Sequence, residues 1–142
     1  MKTKLQTITE FLQSEHGDFD IAEQVTQAKY DLHYEGDTFD FNAQEYMVLT
    51  EEQADEVARG YIENTVWAFV PSFLERHTGI DEGIFEALQD KCESVNDLIL
   101  NSIKDIEEFV DDAIDEDGRA HFINSYDGNE EEFNDYLIYR MA

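Results

Sequence analysis

Leu5, Ile8, Phe11 and Leu12 recur at the spacing of an amphipathic helix, which predicts a helix over residues 4–15 that Gly17 ends. A second short helix is expected from Ile21 to Ala28. From Tyr30 the period changes to two. Tyr30, Leu32 and Tyr34 alternate with Asp31 and His33, and Phe39 and Phe41 alternate with Thr38 and Asp40. Glu35-Gly36-Asp37 lies between them, so the segment reads as a β-hairpin, and Tyr46 to Leu49 extends the strand signal.

Thr50 followed by Gln53 is a reciprocal helix start. Ala54, Val57, Ala58, Tyr61, Ile62, Val66 and Phe69 then form one apolar stripe, which Pro71 interrupts. A short segment to His77 stops at Gly79, and a further helix is expected from Asp81 to Cys92. The longest helix is expected to begin at Ser94 and run to Asp117-Gly118. It carries Val95, Leu98, Ile99, Ser102, Ile103, Ile106, Phe109, Val110, Ala113 and Ile114 on one face. Ala120–Asn124 and Tyr136–Met141 read as short strands around an Asp127-Gly128 turn. The expected fold is α+β: one domain over residues 1–142, a small antiparallel sheet with about four to five helices packed on it.

Charge changes this ordinary picture. Asp and Glu number 35 against 9 Lys and Arg, a net charge of -26 on 142 residues. Self-repulsion on that scale opposes compaction. Yet 42% hydrophobic and 13% aromatic residues exclude a disordered acidic tail. A compact chain of this length is ~37 Å across, and duplex DNA carries ~22 charges over such a length, comparable with the charge here. Phosphate backbones and anionic membrane surfaces are therefore poor direct partners, whereas a basic nucleic-acid-binding groove is a good one. Residues 30–58 and 105–142 contribute -20 of the -26, and such concentration points to a face.

The densest run, residues 105–117, reads DIEEFVDDAIDED, acidic at eight of thirteen positions. Its apolar residues fall on one stripe. Asp105, Glu108, Asp112, Asp115 and Glu116 are therefore expected on the opposite surface, with Glu107 and Asp111 on the flanks. Glu51, Glu52, Asp55, Glu56 and Glu63 repeat the arrangement on the earlier helix. Like charges at this spacing destabilise a helix by about 0.2–0.5 kcal/mol per pair, and acids near its C-terminal end oppose the helix dipole. A surface that breaks local rules while its buried stripe obeys them is a candidate functional surface.

Specific chemistry is not announced. Cys92 is the single cysteine, so no internal disulfide and no cysteine metal cluster is expected. With Gly118 at position 6 of a calcium loop, position 1 is Ala113 and position 12 is Asn124, so that motif fails. His16, His33, His77 and His121 show no metal or nucleophile spacing. No catalytic residue, cofactor or metal is expected, and the chain is read as a non-enzyme. No apolar run approaches the ~20 residues of a membrane span, and the N-terminus reads as mature cytosolic sequence. A homodimer is compatible with this pattern.

The run AIDEDGRAHFINSYDGNEEEFNDYLIYR, residues 113–140, resembles the C-terminus of a group of small acidic proteins encoded by phages and mobile elements. Those carry a DGRGHFLSSYDGEE-like segment and end near YIYR. TEEQADEVARGYIENTVWAF and CESVNDLI are similar to the same group, so the resemblance covers roughly residues 46–140. It implies phage origin rather than a mechanism, and with it a role in defence evasion within the host cytoplasm. Asp117, Gly118, Arg119, His121, Tyr126, Asp127 and Arg140 would then form a structural turn-and-strand corner. Arg119 and Arg140 would pair crowded carboxylates. By analogy of charge, the expected function is a DNA mimic that occupies the basic groove of a host nuclease or of a CRISPR or restriction complex. The alternative is a non-mimetic accessory or virion-assembly protein with an aromatic partner surface around Tyr30, Tyr34, Phe39 and Phe41.

Overall fold

A computed structural model describes residues 1–17 and 20–142. The α+β expectation holds: seven α-helices and a five-stranded antiparallel sheet are formed among the described residues. The chain divides into two compact units, Met1–Val57 with Arg119–Ala142, and Ala58–Gly118.

The first unit holds the sheet. Helix α1 (Lys4–His16) starts at a capping box, with the Thr3 hydroxyl accepting from the Gln6 amide at 3.1 Å and the Gln6 side chain accepting from the Thr3 amide at 2.8 Å. Gly17 closes it in the left-handed conformation. Helix α2 (Ile21–Gln24) is shorter than expected, because the chain extends at Val25 and enters strand β1 (Thr26–Gln27). Strand β2 (Thr38–Phe41) turns through Asn42 and Ala43, both at positive φ, into strand β3 (Gln44–Leu49). Strands β4 (Glu131–Phe133) and β5 (Tyr136–Arg140) form a second hairpin. The order is β1-β2-β3-β5-β4, with Val48 opposite Ile138 and Tyr46 opposite Arg140.

Period-two alternation gives this sheet two buried sides. Phe39, Phe41, Tyr46, Val48, Tyr136 and Ile138 pack with Ile8 and Leu12 of α1, Ile21 of α2, and Val25. Met47, Leu49, Leu137 and Tyr139 point the other way and are buried as well. Each such side chain contributes about 1.5–3 kcal/mol on leaving water.

Two expected strands are absent. At Tyr30–Tyr34 the Asp37 carboxylate accepts from the amides of Leu32, His33 and Tyr34 at 3.2, 2.9 and 2.9 Å. The Asp31 carboxylate accepts from those of Gly36, Asp37 and Thr38 at 2.9, 3.2 and 3.2 Å. Amides held by side chains are not offered to a neighbouring strand, so the alternating residues form a succession of bends. At Ala120–Asn124 the chain forms a 3-10 turn, and the Asn124 amide donates to the Ala120 carbonyl at 2.8 Å.

Helix α3 (Glu51–Asn64) begins as expected, with the Gln53 amide donating to the Thr50 hydroxyl at 3.2 Å and the Thr50 amide to the Gln53 side chain at 3.1 Å. Its second half opens the second unit, which is helical throughout: α4 (Pro71–Thr78), α5 (Glu82–Gln89), α6 (Asn96–Ser102) and α7 (Ile106–Asp117). Pro71 starts α4 rather than interrupting the preceding stripe, which already ends in a 3-10 turn at Val66–Ala68. Buried Asn96 donates to the Glu63 carbonyl at 2.7 Å and accepts from the Trp67 amide at 3.2 Å, fixing the end of α3 against α6. Phe73, His77 and Phe109 form an aromatic cluster with ring centroids 4.8–5.0 Å apart.

The single long helix expected from Ser94 is divided. Ile103 is extended, the Lys104 amide donates to the His77 carbonyl at 3.1 Å, and the Asp105 side chain caps α7 by accepting from the Glu108 amide at 3.2 Å. A new N-cap restarts the helix after three residues.

Candidate functional site

The break at Ile103–Asp105 changes the electrostatics of the acidic run. Asp105, Glu107 and Glu108 lie at the N-terminus of α7, where the dipole favours anions. Only Asp115, Glu116 and Asp117 occupy the unfavourable last turn. Arginines from elsewhere in the same unit reach the two flanks. Arg59 holds Glu107 in a short contact and Glu63 at 2.8 Å, and Arg76 holds Glu116 at 3.0 Å. Paired with two carboxylates, the Arg59 guanidinium is held above its ordinary pKa, first by Glu63 and then by Glu107.

Asp112 turns toward the buried His77, its Oδ2 lying 3.0 Å from Nε2. Apart from Asp117 in the last turn, Glu108, Asp111 and Asp115 remain. All three are exposed and make no ion pair among the described residues. They stand at i, i+3 and i+7, a row rising about 10 Å along the helix. Beneath it Phe109, Val110 and Ala113 are buried.

The acids expected on α3 have a different setting. Arg119 donates to Asp55 at 2.8 Å, lies 3.8 Å from Glu51, and makes a two-pronged contact with Glu130 at 2.9 Å on each arm. The hydroxyl of fully buried Tyr139 also donates to Glu130, in a short hydrogen bond. Burial raises the Glu130 carboxyl, but the bonds from Arg119 and Tyr139 outweigh it and hold the group below the usual carboxylate range. Burial, and then the hydrogen bond to Glu130, push the Tyr139 phenol up. Glu56 accepts a short hydrogen bond from Tyr34, whose phenol is thereby pushed up to about 12. Of the five α3 acids, Glu52 alone has no side-chain hydrogen bond or ion pair among the described residues.

Arg119 thus pairs crowded carboxylates as expected, while Arg140 instead stacks over Tyr126 at 4.6 Å. The corner between them is organised by Asn124, which sequence reasoning passed over. Its side chain accepts from the Tyr126 amide at 2.9 Å and donates to Asp127 at 2.6 Å and to the Asn129 carbonyl at 3.1 Å. The aromatic surface of the rival reading is not assembled. Phe39 and Phe41 are buried, Tyr34 is half-buried against Glu56, and Tyr30 alone of the four is well exposed.

Comparison with protein-family models, curated proteins and solved structures finds no match to the chain. No helix among the described residues is long and apolar enough to cross a membrane. The chemical content of the α7 face is a row of exposed carboxylates on one helix. It can receive cations from a partner at regular spacing.

Proposed function

We propose that the chain is a phage-type anti-defence inhibitor that acts as a DNA mimic in the host cytoplasm. Its α7 face offers carboxylates to the basic groove of a host nuclease or of a CRISPR or restriction complex. The observation that carries this reading is the row Glu108, Asp111 and Asp115. These carboxylates are exposed and unpaired on a helix whose other side buries Phe109, Val110 and Ala113, while Arg59 and Arg76 hold the flanks. A merely solvated helix face mixes signs; this one does not. The net charge of -26 supplies long-range attraction to a cationic groove, so association is fast and weakens steeply with salt. The resemblance of residues 46–140 to phage and mobile-element proteins supports defence systems as the class of target.

Changing Glu108, Asp111 and Asp115 together to Lys tests the reading. The three side chains are exposed, so the fold is retained, as far-UV circular dichroism will report. Retention of the parent on a basic nucleic-acid-binding protein column, eluted with a salt gradient, is expected to fall sharply in the triple variant. Unchanged elution would refute the reading.

A further inference from the structure

Three contacts along the acidic helix converge on one residue of α4. The His77 carbonyl accepts from the Lys104 amide at 3.1 Å, one residue ahead of the Asp105 cap. The His77 ring makes a T-shaped contact with the Phe109 ring, centroids 5.0 Å apart. Its Nε2 lies 3.0 Å from Asp112 Oδ2, an ion pair from a side chain only 6% exposed. The contacts therefore fall just before α7, in its first turn and at its middle.

Little else fixes α7 in place. Among the described residues no helix or strand runs close alongside its backbone, so side chains seat it. Phe109, Val110 and Ala113 are buried, but apolar burial is non-directional. A hydrogen bond and an ion pair instead fix particular atoms. The pairs of Arg59 with Glu107 and Arg76 with Glu116 join long side chains open to solvent, and such pairs hold position weakly. The Asp105 cap ties the first turn to itself rather than to a neighbour.

We infer that His77 is a positioning residue. Its carbonyl sets where α7 begins, and its imidazole sets how the helix is turned. At about 100° per residue, Glu108, Asp111 and Asp115 fall within about 60° of arc, about 100° round the helix from the Phe109–Asp112 line that faces His77. Holding that line against α4 keeps the row clear of it, and the ion pair commits Asp112 to α4. That the row meets a basic groove rests on the function proposed above; the seating of α7 by His77 does not.

Hydrogen exchange of the partner-free chain tests the seating. His77→Leu keeps the space between Phe73 and Phe109 filled but removes the ion pair, and Asp112→Ala removes it from the other side. In both, the amides from Val110 to Ile114 are expected to exchange about tenfold faster relative to those of α4 and α5. His77→Gln, whose side-chain amide can still donate to Asp112, is expected to recover most of the protection. A role in packing alone gives the opposite order, with Leu better than Gln. Global stability is not the readout, because an apolar side chain in place of a buried ion pair can leave it unchanged. Should His77→Leu fail to fold, Asp112→Ala, at a half-exposed position, decides. Unchanged α7 amides, or equal loss of protection across α4, α5 and α7, overturn the inference. On the basic nucleic-acid-binding protein column, changing Glu108, Asp111 and Asp115 to Lys is expected to shift elution less in the His77→Leu chain, or in Asp112→Ala, than in the parent. Equal shifts overturn the aiming of the row by His77. No shift in either chain refutes the proposed function, and the exchange rates then decide the role of His77 alone.

Discussion

Replacing Arg119 by Leu removes the cation at the centre of the Glu130–Tyr139–Asp55 network, and its cost follows from what is left behind. Arg119 is 17% exposed and Glu130 25%, so the pair is largely withdrawn from water, while Asp55 at 61% resolvates readily. Loss of one partner from a fully buried pair costs about 3–5 kcal/mol. Partial solvent access and the surviving Tyr139 hydroxyl reduce this to about 2–4 kcal/mol. At about 3–4 °C per kcal/mol for a chain of this size, the melting temperature should fall by roughly 6–16 °C. The informative comparison adds Glu130→Gln. If the pair acts as one unit, Arg119→Leu with Glu130→Gln costs less than the sum of the single changes, by about 1–3 kcal/mol. Urea unfolding followed by circular dichroism measures all four corners of the cycle. Additivity within about 0.5 kcal/mol would show that the network has no coupled energy, and the reasoning would fail.

Asp37→Ala should cost about 2–3 kcal/mol, because it strands the amides of His33 and Tyr34 beside a buried position, while Leu32 keeps the Thr38 hydroxyl; chemical denaturation checks this, and a loss under 1 kcal/mol would mean the loop is held by something else. Ala43→Gly should raise the melting temperature by a few degrees, about 0.5–1 kcal/mol, since Ala43 sits at φ 62 in a two-residue hairpin turn that favours Asn-Gly. Glu130 has a folded pKa below its unfolded value, so its stabilisation is present above the unfolded value of about 4.3 and lost as pH falls through the folded one. Glu130→Gln should therefore flatten the acid limb of a stability-pH profile below about pH 5, and an unchanged limb would count against the Arg119 contact.

The strongest local signals were legible without coordinates. Thr50 with Gln53 started α3, Gly17 and Gly79 ended α1 and α4, and the strand signals at Tyr46–Leu49 and Tyr136–Met141 marked β3 and its neighbour β5. Misreadings arose where side chains compete with the backbone for amides. Tyr30–Tyr34 has the period of a strand, but Asp31 and Asp37 take the amides around it. Asp105 with Glu108 three residues on was a start signal of the same kind as Thr50 with Gln53. It was hidden because the apolar stripe runs through the break without losing phase. The flank pairs of α7 were not legible at all, since Arg59 and Arg76 lie 48 and 40 residues away from Glu107 and Glu116.

Those distant arginines alter what the charge of this chain means. A uniformly acidic helix is equally available to solvent and to any cation. Here Arg59 and Arg76 fix the edges of the α7 face, and Asp105 is committed to the cap. The exposed remainder therefore narrows to Glu108, Asp111 and Asp115 along the helix, with Asp117 at its C-terminal end, at positions set by helix geometry rather than by side-chain mobility. Repulsion among three such carboxylates is borne by the packing of Phe109, Val110 and Ala113 beneath them. On the proposed function a cationic partner would relieve that repulsion on binding, so part of its affinity would be stored in the free protein. Salt acts on both sides of this balance. Added NaCl stabilises the free chain by screening its charge of -26, and it weakens the complex. A melting temperature that rises with ionic strength while partner affinity falls is the paired signature of this arrangement.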